Sequence, residues 1–281
     1  VKRTGWNLGP AGTAYVFNTT NMLVATNGGT APSDLTVTMI PQSAGGDPTQ
    51  NEREAKRKYT FTKTGGTGFT ADVRFPYLAS ELNTNQEANL VPWRLLGTEW
   101  NADTTNITRN AGADWVNAPG ILAADLIQEW KLADPDYTMN VTANLRGPWN
   151  GVSAMNTSLL AGGIIPLGQP YNTTPFNYTG SETVSPNPIP ANVVDWVLIE
   201  HRKPAIGLPE NALIATISGR EAGFLLSNGT VVGLDGVTPI NVTITKQGPA
   251  FIVIRHRNHL GVMSNLINSN ATGTFANDYT V

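Results

Sequence analysis

Five consecutive residues, Arg255-His256-Arg257-Asn258-His259, gather two of the chain's three histidines beside two arginines. Imidazoles three residues apart act as metal ligands or proton acceptors when their nitrogens reach one point. The five follow an apolar run, Phe251 to Ile254, which reads as a strand, so alternation of faces decides what they can do. On a continuous strand Ile252, Ile254 and His256 share one face and Phe251, Val253, Arg255 and Arg257 the other, while His256 and His259 diverge. A two-histidine metal site therefore needs a turn at Asn258. A second stretch has the same design: Trp196 to Ile199, then Glu200-His201-Arg202. If the two strands are neighbours, Glu200 pairs with Arg255 or Arg257 across the sheet. The expected arrangement is a structural polar network of Glu200, Arg202, Arg255 and Arg257, because buried charge persists only when paired.

Other candidates are scattered. Asp134 and Asp136 in "DPD" and Asp235 in "LDG" offer the carboxylate and carbonyl oxygens that calcium takes. With His256 and His259 they make up the candidate metal ligands, and calcium is the one cofactor they would admit. Neither motif forms an EF-hand loop, and turn chemistry explains both more simply. Trp93, Trp149, Tyr171 and Phe176, together with Trp100 and Trp115, would make a sugar platform if exposed. In a β protein tryptophan is more often core, because it buries so much apolar area. The sequence has no Gly-x-Ser-x-Gly elbow, no His-Glu-x-x-His and no phosphate loop. Its acids form no obvious pair for glycoside hydrolysis, and no enzymatic activity is expected.

Composition narrows the partners. Charged residues are 14% of the 281, against about 25% in ordinary soluble domains. The net charge is −3. The one cation cluster, Arg53 to Lys58, has Glu52 and Glu54 among it, so a nucleic-acid partner is not expected. The chain lacks cysteine, which removes disulfides, thiolate sites and Cys nucleophiles. No apolar run approaches the roughly 20 residues that cross a bilayer, so no membrane insertion is expected. No signal peptide is visible, and the start at Val1 reads as a processed or excised terminus. Sequons at Asn18, Asn106, Asn140, Asn172, Asn177 and Asn241 arise readily in an Asn- and Thr-rich chain.

The elements that must position these residues are strands. Short alternations broken by Gly, Pro, Asn and Asp predict an all-β fold. Asp34 to Ile40 alternates apolar residues with threonines. Lys58 to Thr64 and Gly68 to Tyr77 flank "TGGTG" and read as a β-hairpin. Ala88 to Trp100 reads as a strand pair around Leu-Gly-Thr. Gly120 to Asp134 reads as a short helix or turn leading into a strand. A boundary near Ala133 to Tyr137 divides the chain into an N-terminal module, 1–134, and a C-terminal module, 135–281. In the second, 162–190 is too apolar for a linker and reads as a long ordered loop packed on a sheet. "NVVDWVLIEHRK", "NALIATISG", "EAGFLLSNGTVVGLDG", "INVTITKQG" and "AFIVIRHRNHLGVM" read as successive strands. The tail, 265–281, is polar and weakly β-prone. It and the segment "AYVFNTTNMLVAT" are candidates for strand addition to a neighbour's open edge.

"IPANVVDWVLIEHR", "GFLLSNGTVVGLDGVTPI" and "FIVIRHRNHLGVMS" resemble a β-sandwich module of secreted, multidomain surface proteins of Bacteroidota and related bacteria, often exported by the type IX pathway. "RKYTFTKTGGTGFTADVRFPYLASELN" and "NLVPWRLLGTEW" resemble a second β module of the same proteins. The C-terminal part is also similar to prealbumin-like or Cna B-type sandwiches. The resemblance implies two Ig-like or prealbumin-like β-sandwich modules in tandem, secreted to the cell surface. It also implies a structural or adhesive role, while the tail and the "AYVFNTTNMLVAT" segment, by their pattern, add filament self-assembly, with copies of the chain or neighbouring modules as partners. A glycan is the alternative partner, in a carbohydrate-binding module of a secreted polysaccharide-processing system. Some Cna B-type modules carry a Lys–Asn isopeptide bond promoted by an acid, for which Lys203, Asn258 and Glu200 are the matching residue types.

Overall fold

The computed structural model describes residues 2–3, 14–17, 22–41 and 53–280. The sequon at Asn18, Glu52 and part of the segment before Met22 lie outside them. The fold is all-β. Two compact units divide the chain, Val1–Pro135 with Thr245–Gln247, and Asp136–Ile244 with Gly248–Val281. Residues 245–247 are a correction to the expected modules. Their backbone joins the first unit, with Gln247 N–H donating to Trp100 O at 3.1 Å and Ala102 N–H to Thr245 O at 2.9 Å.

The first unit holds β1 (Lys2–Arg3), β2 (Ala14–Val16), β3 (Leu23–Asn27), β4 (Asp34–Pro41), β5 (Arg57–Thr64), β6 (Thr70–Pro76), β7 (Val91–Leu96), β8 (Glu99–Ala102), β9 (Thr108–Asn110), β10 (Trp115–Leu122) and β11 (Glu129–Ala133). A six-stranded sheet runs β1-β4-β5-β11-β7-β8 and a five-stranded sheet β2-β3-β6-β10-β9. Their apolar faces enclose one core. Phe75 of β6 meets Tyr59 and Phe61 of β5 edge-on, with ring centroids 5.1 and 6.2 Å apart. Each such aromatic contributes on the order of 2–3 kcal/mol through burial.

The expected hairpin does not form. β5 pairs with β4 and β11, and β6 with β3 and β10. Each run has one apolar face, and placing the two runs in opposite sheets buries both faces against each other. The glycine loop carries the chain across rather than back. Gly66 has φ +72°, and a Cβ there would sit 2.6 Å from Pro32 N, so only glycine fits. The strand pair around Gly97 does form, as β7 and β8. The short helix α1 (Ala123–Leu126) leads into β11.

The second unit holds β12 (Asp136–Ala143), α2 (Ser158–Ala161), β13 (Val193–Arg202), β14 (Ile217–Leu226), β15 (Val231–Val232), β16 (Ile240–Thr243), β17 (Phe251–His256), β18 (His259–Met263) and β19 (Thr274–Tyr279). One sheet runs β16-β12-β19 and the other β15-β14-β13-β17-β18. β13 is buried along its whole length, so both its faces are covered. On one, His201 packs edge-on against Phe275 at 5.0 Å. On the other, Trp196 and Leu198 pack with Ile165, Tyr171, Tyr178 and Val184 of the 162–190 loop. Tyr171 OH donates to Trp196 O at 2.7 Å, and Trp196 Nε1–H to Pro166 O at 2.8 Å.

Two further expectations change here. "NALIATISG" is mostly not a strand: single 3-10 turns occupy Pro209–Asn211 and Ile214–Thr216, and β14 starts at Ile217. Pro209 has no N–H for a ladder and suits the first turn of a helix. The tail's strand, β19, pairs in parallel with β12 from Thr138↔Thr274 to Ala143↔Tyr279. Its own chain uses the strand that the sequence offers to a neighbour.

Candidate functional site

The turn that a two-histidine site requires is present. β17 and β18 form a hairpin through Arg257 and Asn258, with His256 opposite His259. An extra residue on β18, at Leu260 and Gly261, shifts the register by one. The two imidazoles meet edge-on with Nδ1 atoms 2.9 Å apart.

Asp195 anchors this pair. A bulge at Val194 interrupts the β13–β14 register, and bulges re-aim side chains. Asp195 is fully buried. Arg257 donates to both its oxygens, Nη2 at 3.0 and 2.9 Å and Nε at 3.1 Å. His256 Nε2 lies 3.1 Å from Oδ2. Burial raises the Asp195 pKa, but hydrogen bonds from His256, the Trp196 amide and Arg257 outweigh it and hold the carboxyl below its usual range.

The proton positions follow from donors. The Asn258 amide donates to His256 Nδ1 at 3.1 Å, so that nitrogen carries a lone pair. His256 therefore bears its proton on Nε2 and donates to Asp195. His256 Nδ1 has one lone pair, which His259 Nδ1 at 2.9 Å shares with the Asn258 amide, and His259 bears its proton on Nδ1 because two unprotonated nitrogens would repel at that distance. That leaves His259 Nε2 as an unprotonated acceptor. Burial, then the neighbouring His256, lowers the His259 pKa, which favours this neutral form.

His259 opens onto a cavity of about 320 Å³. Leu145, Val194, Asp195 and His256 form its buried floor, Pro148 and Leu159 its walls, and Asn156, Ser158 and Asn258 its rim. Gly147 lies close to the imidazole, and a Cβ on it would lie 3.4 Å from His259 Nε2. Asp195 was not among the sequence candidates. Its signal was a lone carboxylate inside "VVDWVLI", a position that requires a cationic partner.

The expected polar network forms in part. β13 and β17 are neighbours. Glu200 takes Arg202, through Nη2 and, at 3.0 Å, through Nε, and lies 3.5 Å from Arg255 Nε. Arg202 also donates to Ala212 O at 2.6 Å. Arg257 is a correction: it belongs to Asp195. His201, on the opposite face, is fully buried with Nδ1 2.6 Å from Ser218 Oγ. Burial, then Lys203, pushes its pKa down to about 3, so it stays neutral.

The aspartates proposed for metal are dispersed by pairing. Asp134 is buried against Arg53 at 3.2 Å. Asp136 accepts from Thr243 Oγ1 at 2.5 Å. Asp235 closes its own turn, accepting from the Val237 and Thr238 amides at 2.9 and 3.0 Å. Among the described residues no three His, Cys, Asp or Glu side chains form a metal-holding group. The five candidate ligands therefore do not converge on one ion; only His256 and His259 meet. The isopeptide triplet also separates. Glu200 is held by Arg202, and Lys203 and Asn258 lie at opposite ends of β13, about 25 Å apart at strand rise.

The aromatic platform is likewise corrected. Trp93 and Tyr171 are fully buried, and Trp100 nearly so. Trp93 Nε1–H donates to Ala133 O at 3.1 Å. Phe176 is partly buried against Tyr171, 5.0 Å between centroids. Trp149 is half-buried, bridging to Met155. The cations of 53–58 form no patch. Arg53 and Arg57 are buried against Asp134 and Glu81, and Lys58 pairs with Glu129 at 2.5 Å.

The first unit has a polar cleft of about 490 Å³ lined by Arg94, Asn101, Asp103, Asn106, Gly120 and Asp125, among others. Arg94 Nη1 binds Asp125 Oδ2 at 2.5 Å. Burial raises the Asp103 pKa, only partly offset by the Thr105 amide and Arg94. Compared with known proteins, the chain matches no protein family, no curated protein and no solved structure.

Proposed function

We propose that this chain is an extracellular, cell-surface structural or adhesive protein, like the surface modules its sequence resembles, and that it assembles by strand addition. The observation that carries this reading is the outer edge of β19. It is a six-residue strand without a register shift against β12, at the border of its sheet. Its one ionisable group in the exposed positions is Asp278. Natural edges are normally blunted by bulges, lysines or proline, and β18 has such a bulge. Asn270 takes up the amide and carbonyl of Thr274; beyond it no described strand pairs with this edge at Ala276 and Asp278, which suits main-chain pairing with a second copy. The test is light scattering across a concentration series, with electron microscopy of the largest species. Concentration-dependent oligomers that Ala276→Lys disperses, without a change in thermal midpoint, support the reading. Monomers only, at high concentration, overturn it.

The polar cleft of the first unit favours a second reading, a carbohydrate-binding module. Carboxylate, amide and guanidinium groups converge there in the way that sugar hydroxyls require. A glycan array answers this: hits lost on Asp103→Ala and Asn101→Ala support it, and an empty array removes it.

A further inference from the structure

The cavity beside His259 has three features that together specify a ligand. Its body is apolar, with Leu145, Pro148, Leu159 and Val194 around it. Its charge is already balanced, because Arg257 neutralises Asp195 at 2.9 Å. Beneath the rim of Asn156, Ser158 and Asn258 it has an oriented acceptor, His259 Nε2, which no described residue engages. The proton relay explains why this acceptor is fixed. Arg257 holds Asp195, Asp195 takes the Nε2 proton of His256, and His256 Nδ1 takes the Nδ1 proton of His259. Each imidazole is thereby confined to one tautomer. A site with an apolar body, a balanced charge and an oriented acceptor below a neutral amide and hydroxyl rim disfavours ions and rewards a hydrogen-bond donor on an apolar body.

We propose that this cavity binds a small apolar-bodied alcohol or phenol, whose hydroxyl donates to His259 Nε2 while its body fills the space over Leu145 and Val194. His259 is the binding residue. His256 and Asp195 are positioning residues that act through it. The cavity's volume of about 320 Å³ falls at the small end of ligand sites, which suits one ring or a short branched chain.

The test compares two probes of the same shape on the full chain, p-cresol and toluene, by NMR titration with 15N-labelled histidine. The free protein is expected to show His259 protonated on Nδ1 and unprotonated on Nε2. p-Cresol is expected to bind saturably, shift the Nε2 resonance and bind at least about tenfold more tightly than toluene, the worth of one hydrogen bond, about 1.4 kcal/mol. His259→Phe is expected to erase that preference. Gly147→Ala checks the same point without touching the relay. Its methyl would lie 3.4 Å from Nε2, an ordinary contact, and would shield the acceptor, so the preference is again expected to vanish. Equal affinity for the two probes in the parent chain overturns the proposal. So does no saturable binding up to the solubility limit, or a His259 found protonated on Nε2.

Discussion

At the scale of residues, burial decides how each charged group behaves. His201 is neutral in the fold because its charged form would be desolvated, and its pKa falls to about 3. Unfolded, it titrates near 6.5. Between those values the unfolded chain binds the extra proton, so this group's contribution is fully present above pH 6.5 and declines as pH falls toward 3. The slope is about 1.4 kcal/mol per pH unit, or about 2 kcal/mol between pH 7 and pH 5. Glu221 works in the opposite direction. Burial, then Glu182, raises its carboxyl to about 7, so its contribution is present below about 4.5 and is lost as pH rises through 7. The clean measurement is therefore a difference: urea unfolding of the parent chain and of His201→Gln at pH 7 and pH 5. The variant is expected to lose less stability over that interval. Ion pairs divide by the same logic. Asp134→Ala removes the carboxylate 3.2 Å from the buried Arg53 and is expected to cost about 3–5 kcal/mol. Lys58→Ala breaks a half-exposed pair with Glu129 and is expected to cost under about 1 kcal/mol. Chemical denaturation of both variants checks the contrast.

At the scale of elements, the informative places are where the chain changes sheet. The loop between β5 and β6 passes from one sheet to the other, and Gly66 lies against the Pro32 backbone in the left-handed region. Gly66→Ala is expected to destabilise the first unit by more than about 1 kcal/mol through strain and overlap. Gly97, in the β7–β8 turn with φ +62°, has nothing within 4 Å of its would-be Cβ, so Gly97→Ala meets the conformational penalty alone and is expected to cost less. Thermal unfolding of the two variants separates close approach from turn geometry. The 162–190 loop poses a related question. Arg220 of β14 ties it down by donating to Phe176 O at 2.9 Å, alongside the apolar contacts of Tyr171 and Tyr178. Its apolar residues made that packing legible in the sequence, but the side of the sheet it covers depended on the alternation of β13.

At the scale of the whole molecule, each unit has its own core, and the chemistry proposed from sequence does not gather into a metal centre. The candidate calcium ligands are engaged by Arg53, Thr243 and a self-closed turn. Assembly through the β19 edge would rest on main-chain pairing alone. A chelator is therefore expected to leave the oligomer distribution unchanged, which light scattering with and without EDTA checks. A shift to smaller species on chelation would return the aspartates and histidines to consideration as ligands.

Sequence by itself determined whatever depends on local pattern. Period-two alternation marked the strands, Gly97 marked the β7–β8 turn, and "ADPDY" marked the passage between units. The Glu200–Arg202–Arg255 group followed from placing two apolar strands side by side, because a buried carboxylate must have a cation nearby. Alternation says which residues share a face but not which strand lies opposite, so only the tertiary structure decided the rest. Lys58–Thr64 and Gly68–Tyr77 have the alternation of a hairpin, yet they face each other across a core. Trp93 and Tyr171 have the composition of a platform, yet they are interior. The polar tail looked free to pair with a neighbour, yet it lies beside β12. The relay from Asp195 to His259 needed two events that pattern does not reveal: a bulge at Val194 that turns one carboxylate, and a turn at Asn258 that brings the second imidazole back. Both are backbone irregularities, and the carboxylate and imidazole that they bring together stand 61 positions apart in the chain.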